Sequence, residues 1–193
     1  GSAENLGDIL PLASQVAGLV DLDLSITFAG AGHMQANNNG GSGFSLLTVG
    51  EAAAINAVAG LETANNGIFG TFVNTLSDNL GIAALARVNT SGNGTDGLFL
   101  NVYGLDDAAV GVIADVDASD NTGNGITSIV TSPDGSAFLL TLSTDLFRPV
   151  ASLLGEMFFD GPITLPGESF GQVVASGNGG DGVFAAVNGD GFA

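Results

Sequence analysis

The stretch Gly92-Asn93-Gly94-Thr95-Asp96-Gly97-Leu98 ends a polar, glycine-rich segment and opens an apolar one. Four other stretches have the same form, in which Asn, Asp and Gly lead to a glycine that precedes an apolar residue. The final glycines of the five stretches are Gly43, Gly67, Gly97, Gly125 and Gly182, and the last interval is about twice as long as the others. We interpret this as a repeat with a period near 28 residues. The last interval is then two periods long and contains one coil whose sequence does not show the repeat.

Two short strands are predicted inside each period. After Gly97, the aliphatic residues Leu98, Leu100 and Val102 alternate with Phe99, Asn101 and Tyr103, and a turn follows at residues 105–107. Alternation with period two is the signature of a strand. Along the second strand it predicts one face made of Val110, Val112, Ala114, Val116 and Ala118, and an opposite face made of Gly111, Ile113, Asp115 and Asp117.

The repeat favours an all-β fold, a right-handed parallel β-helix in which each period is one coil. Residues of one kind recur at one phase, as Val88 and Val116 do, and a solenoid interior needs such stacking because each coil buries its core against the next. The alternative is an antiparallel β-meander forming a sandwich or a barrel. The hairpin-like turn Ser132-Pro133-Asp134-Gly135 favours that alternative.

Two segments break the period and set the predicted domain organisation. Residues 1–36 are interpreted as a protease scar, Gly1-Ser2, followed by an N-terminal cap that contains a short amphipathic helix over residues 5–20. Residues 37–193 are interpreted as β-helix coils. Within them, residues 146–172 hold three of the five prolines and are predicted to be a period-breaking insertion.

Charge and composition exclude several classes of function. The net charge is −18, and the only cations are Arg87 and Arg148. Binding to nucleic acid or to an anionic membrane surface needs a basic patch, so neither is expected. No apolar run approaches the roughly 18 residues of a membrane-spanning helix, so no membrane insertion is expected. Without cysteine the chain has no disulfide and no thiolate chemistry.

Paired carboxylates are the best catalytic candidates. The chain has a single histidine, His33, and no second histidine, cysteine or lysine with which it could form a catalytic site. Asp115 and Asp117 are two residues apart on one predicted strand face, and strand rise places them roughly 6.5 to 7 Å apart. Glycosidases use two carboxyl groups separated by roughly 5 to 9.5 Å. This pair is therefore the candidate catalytic site.

Calcium is the one candidate cofactor, because Ca²⁺ takes oxygen ligands from Asp, Asn and turn carbonyls. The candidate ligands lie in two turns, Asp117 with Asp120 and Asn121, and Asn178 with Asp181. Neither turn matches an EF-hand loop or a repeated calcium-binding nonapeptide.

Two columns of outward apolar residues predict an interface. One contains Val58, Leu85, Ile113 and Leu139, and the other contains Phe69, Phe99 and Phe184. An exposed apolar ridge marks an interface more often than chance. Packing of loops over the stack, lateral contact with another chain or domain, and adhesion to a ligand are the alternatives for these columns. We take Phe69, Phe99, Leu85 and Ile113 as the candidate interface residues.

The runs 116–126 and 173–183 resemble the coil junctions of large exported bacterial β-helix proteins of the pectin-lyase-like superfamily, many of them adhesin-like. The resemblance covers residues 37–145 and 173–193. It implies an extracellular or cell-surface structural and adhesion module without catalytic activity. The implied partners are other copies or domains of a larger surface protein, or glycans. The alternative is a carbohydrate-active enzyme of the glycosidase type that uses Asp115 and Asp117.

Overall fold

Parallel strands make up all the regular structure that the computed structural model describes, over residues 26–142 and 172–191. The strands are β1 (Ile26–Gln35), β2 (Phe44–Gly50), β3 (Ala53–Glu62), β4 (Thr71–Ser77), β5 (Leu80–Asn89), β6 (Leu98–Gly104), β7 (Ala108–Asp117), β8 (Ile126–Ser132), β9 (Ser136–Leu142) and β10 (Val183–Gly189). The predicted capping helix at residues 5–20 lies outside the described residues. No helix within the described ranges is long and apolar enough to cross a membrane.

The strands form two five-stranded sheets. Sheet A has the order β1-β3-β5-β7-β9, and sheet B has the order β10-β8-β6-β4-β2. Every pair of neighbouring strands is parallel. The chain thus alternates between the sheets and forms a β-solenoid, as predicted. The antiparallel meander is wrong, because the turn at Ser132–Gly135 joins β8 of sheet B to β9 of sheet A instead of two paired strands.

Two kinds of turn connect the sheets. The asparagine turns lead from sheet A to sheet B and always contain eight residues, at 36–43, 63–70, 90–97, 118–125 and 175–182. The acidic turns lead from sheet B to sheet A and contain two or three residues, at 51–52, 78–79, 105–107 and 133–135.

The glycine spacing is more regular in the structure than in our interpretation of the sequence. The glycine that closes the second asparagine turn is Gly70, not Gly67, because the residues after Gly43 and Gly70 begin the paired strands β2 and β4. No coil is stacked between β8 and β10, since these two strands pair directly despite the long stretch of chain between them. The predicted insertion at residues 146–172 lies outside the described residues, apart from Gln172.

Strand β1 pairs with β3 at both of its ends and at every residue between except His33, and it is therefore part of the stack. Residues 26–35, which our interpretation of the sequence places in a cap at 1–36, thus form a strand of the stack, and residues 1–25 of that cap lie outside the described residues. The coils of the described chain begin with Ile26.

The core lies between the sheets and is filled by columns of stacked apolar residues. In sheet B, Leu98, Ile126 and Val102 are fully buried, and in sheet A the side chains of Val88 and Val116 are at most 2% exposed. Removing one such side chain from water contributes about 1.5–3 kcal/mol. Stacking of this kind holds each coil to its neighbours.

The predicted faces of β7 are partly wrong because the alternation of the strand is interrupted. Asp115 has a left-handed φ of 52°, as do Arg87 (55°) and Gly60 (67°) in the preceding coils. The break shifts the inward face by one residue, so Ile113 and Val116 both point into the core. Val110 and Val112 instead face outward.

Candidate functional site

A ladder of asparagine side chains runs through the asparagine turns. The Oδ1 atom of each asparagine accepts two hydrogen bonds from the asparagine one coil earlier, one from its backbone N–H and one from its Nδ2. The N···O distances are 3.0 and 2.9 Å from Asn39 to Asn66, and 2.9 Å for both bonds from Asn93 to Asn121. The last rung is Asn178, at 2.9 and 3.1 Å from Asn121.

The ladder is possible because an amide group both donates and accepts. Asn93 shows how completely its side chain is used, since its Nδ2 also donates to the carbonyl oxygen of Thr63 at 3.2 Å. The backbone of the turns also lies very close to the ladder side chains. A Cβ added to Gly97 would lie 2.5 Å from Nδ2 of Asn121. The sequence signal for the ladder is the spacing of these asparagines by one coil.

Two of the candidate calcium ligands belong to the ladder. The side-chain oxygens of Asn121 and Asn178 each accept two N–H groups from the preceding coil. The calcium assignment stays a prediction. Oδ1 of Asp117 accepts the hydroxyl of Ser119 at 2.6 Å. Within the described residues, no group of three or more His, Asp or Glu is placed to hold a metal ion.

Asp115 and Asp117, the candidate catalytic pair, lie at the interruption of β7. Both lie outside the core, with Asp115 half-buried and Asp117 exposed. Asp115 occupies the position that Arg87 occupies one coil earlier, and the pairing of β5 with β7 skips these two residues. A shallow recess near this corner is lined by Met34, Gln35, Gly60, Leu61, Glu62 and Arg87. The catalytic assignment stays a prediction.

Two of the four candidate interface residues are in the core. Leu85 is 1% and Ile113 0% exposed. The prediction that they form an outward column is wrong, because the break at Arg87 and Asp115 could not be inferred from alternation alone. The outward apolar residues of sheet A instead include Leu80, Ile82, Val110, Val112 and Leu140, which are half-buried, and Phe138, which is exposed.

The other two interface residues belong to an aromatic cluster on the outside of sheet B. Phe99 stacks on Phe72 of the preceding coil, with ring centroids 5.2 Å apart and planes 9° apart. Phe69, from the asparagine turn, lies 5.4 Å from each of them. We had not singled out Phe72, although it occupies the position of Phe99 one coil earlier. Phe184 lies in the same column beyond Thr127 and is exposed.

The five strands of sheet B contain no Asp, Glu, Lys or Arg among the residues described. We define the sheet-B face as their outward side chains, which are apolar or neutral. Leu47 is 62% exposed on it, and Val49 is similarly exposed. An amide pair, Asn101 Nδ2 to Asn74 Oδ1 at 2.8 Å, crosses its middle. The described acidic side chains lie in the turns and in sheet A or at its ends.

The charge distribution therefore separates an uncharged broad face from acidic rims. A search against family models, curated proteins and solved structures finds no match, so the stacked parallel coils alone place this chain, as a β-solenoid.

Proposed function

We propose that this chain is a structural and adhesion module of an extracellular or cell-surface assembly, without catalytic activity, and that the sheet-B face is its contact surface. Its kinship would be with exported bacterial β-helix proteins of the pectin-lyase-like superfamily. Its partners would be other copies or domains of a larger surface protein, or glycans.

One observation carries the proposal, namely the uncharged sheet-B face in a chain with a net charge of −18. Acidic rims keep such a chain soluble, while contact between proteins gains most from apolar and aromatic groups at its centre. Leu47 and Val49 at one end of the face, the aromatic cluster along it and Phe184 at the other end provide such groups.

A lysine placed on the face should weaken adhesion. We expect Leu47→Lys and Phe184→Lys each to weaken binding to an alkyl-coated sensor by about tenfold or more, because each removes a contact worth about 1.4 kcal/mol or more. Asp106→Asn is the matched control, since it changes the net charge by the same amount on an acidic rim. It should bind like the wild type.

Equal binding of all four proteins would overturn the proposed contact face. Hydrolysis of any member of a polysaccharide panel by the wild type, lost in Asp115→Asn, would overturn the non-catalytic assignment and support the glycosidase alternative. A glycan array run in calcium and in chelator tests the carbohydrate partner and the candidate cofactor together.

A further inference from the structure

Three series of N–H donors run along the stack, each pointing from one coil to the next. In the first, the strand-opening residues Phe44, Thr71, Leu98 and Ile126 donate to Gly70, Gly97, Gly125 and Gly182, at 2.8–3.0 Å. In the second, the glycine that closes each asparagine turn donates to the turn of the next coil, as Gly125 does to Asp181 at 3.0 Å. The asparagine ladder is the third.

The last members of these series are Val183, Gly182 and Asn178. No following coil lies beyond them within the described residues. At the other end of the stack, the matching acceptors are the backbone oxygens of Gly43 and Ser42 and Oδ1 of Asn39. One end thus presents the donors of the three series and the other end the corresponding acceptors.

The side chains at both ends also lack the cover that their columns provide elsewhere. Val183 is 47% and Val187 37% exposed, although their column neighbours Ile126 and Val130 in β8 are fully buried. At the opposite end, Met34 is exposed while Leu61, one coil further on, is buried. Interior positions of the two end coils are therefore open to solvent.

We propose that a second copy of this chain stacks head to tail on the open coil, so that β10 of one copy pairs in parallel with β2 of the next. Val183 would then donate to Gly43 of the second copy, and Asn178 to its Asn39, continuing each series without a change of register. Phe44 of the second copy would cover Val183, and Leu46 would cover Ala185. Two strands of seven residues would meet in full.

A contact between unlike ends does not close on itself, so repeated stacking produces a filament. The acidic rims oppose it, because Asp190 of one copy would lie beside Glu51 of the next. Screening shortens the range of that repulsion, so raised ionic strength should promote assembly. Such a filament would deepen the structural function proposed above by naming one partner, a second copy, and one surface, the coil end.

Cysteine cross-linking tests the register directly, because the chain has no cysteine of its own. Val49 and Asn188 belong to one column of sheet B and would become neighbours across the join. Adjacent parallel strands lie about 4.8 Å apart, a separation that a disulfide spans. In the double variant Val49→Cys with Asn188→Cys, oxidation should give a ladder of covalent multimers on a non-reducing gel. Leu47→Cys with Asn188→Cys, out of register by one column, is the control and should give markedly fewer.

Two variants should block the end without touching the sheet-B face. Val187→Lys places a charge on the open interior, and Val183→Pro removes the N–H that faces the next copy at the first residue of a strand, where proline is tolerated. Each should raise the concentration of half-assembly in sedimentation velocity by about tenfold or more. Phe184→Lys, on the outward side of the same strand, should assemble like the wild type.

Circular dichroism of each variant must show the wild-type β signal before its assembly is compared. A wild type that stays monomeric at every concentration and ionic strength would overturn the head-to-tail contact. So would assembly of Val187→Lys and Val183→Pro at wild-type concentrations. If Phe184→Lys loses adhesion but still assembles, both proposals stand. If it keeps adhesion while Val187→Lys loses assembly, only the contact face fails.

Discussion

The two kinds of turn in this solenoid both carry the chain from one sheet to the other, but they are bonded to the neighbouring coils in different ways. The asparagine turns bury their side chains and connect them from coil to coil through the ladder. The acidic turns expose Asp78, Asp106 and Asp134 and connect coils through backbone groups, as in the bond of 3.0 Å from N of Asp106 to O of Asp78. Only the asparagine turns use the side chain of one residue type to bond each coil to the next.

This difference explains where the repeat varies. Successive rungs of the ladder are 27 residues apart from Asn66 to Asn93 and 28 residues apart from Asn93 to Asn121. The additional residue lies in the acidic turn at 105–107, which is one residue longer than the turn at 78–79. The asparagine turns stay at eight residues, because a change in length would move an amide out of the ladder. The asparagine ladder thus fixes the register between coils, and the length of the repeat varies in the acidic turns.

Removing one rung of the ladder should have the largest effect. Asn93→Ala leaves the N–H groups of Asn66 and Oδ1 of Asn121 without their side-chain partner in a buried site, so we expect a loss of about 3 kcal/mol in the free energy of unfolding. Denaturant titration measures it. Asn79→Ala, in an acidic turn, is the matched control and should cost less than about 0.5 kcal/mol. Similar losses for the two variants would mean that the ladder does not distinguish the turns.

Crowding beside the ladder should give the next largest effect. In Gly97→Ala the new Cβ would lie 2.5 Å from Asn121 and 2.7 Å from the backbone oxygen of Thr90. We expect a loss of about 2 kcal/mol, typical of overpacking. Gly40, in the first asparagine turn, has nothing within 4 Å of an added Cβ. A loss in Gly40→Ala as large as in Gly97→Ala, measured by thermal unfolding, would contradict crowding as the cause.

A buried hydroxyl outside the ladder should behave in the opposite way. Oγ of Ser128 is buried in the core and has no hydrogen-bond partner. We expect Ser128→Ala to raise the free energy of unfolding by about 1 kcal/mol, since an unsatisfied polar group is removed. Thr90→Val is the contrasting variant, because the hydroxyl of Thr90 donates to O of Gly97 at 2.6 Å. Destabilisation of both variants would show that Ser128 has a partner in solution.

The acidic turns should respond weakly, and only at low ionic strength. Asp106 follows Asp78 by one coil, so like charges line up along this rim. Asp106→Asn should stabilise the chain by no more than about 0.5 kcal/mol, and added salt should remove the difference because it screens exposed charges. Melting temperatures of both proteins with and without salt test this. A difference that survives in high salt would point to a cause other than repulsion.

The sequence was sufficient for the repeat and the solenoid, because Asn, Asp and Gly recur before each strand of sheet B at almost constant intervals. It was insufficient for the faces of sheet A. The interruption of alternation is occupied by Gly60, Arg87 and Asp115 in successive coils, and only the glycine suggests a left-handed residue. Missing this break reversed the sides assigned to Leu85 and Ile113. The ladder was missed because alternation describes strands and says nothing of how turns pair across coils.

The polarity of the asparagine ladder has an electrostatic consequence. The Oδ1 atoms of the ladder accept from the preceding coil, and one Nδ2–H bond points to the following coil, although the other donates back to an earlier carbonyl, as from Asn93 to Thr63. The C=O dipoles of the carboxamides therefore point the same way and add along the axis of the solenoid as peptide dipoles do in a helix. Strand dipoles in a sheet largely do not produce such a net field. The ladder therefore gives the solenoid a dipole along its axis, with a partial positive charge at the coil of Asn178 and a partial negative charge at the coil of Asn39. Two molecules approaching along that axis attract in one relative orientation and repel in the other.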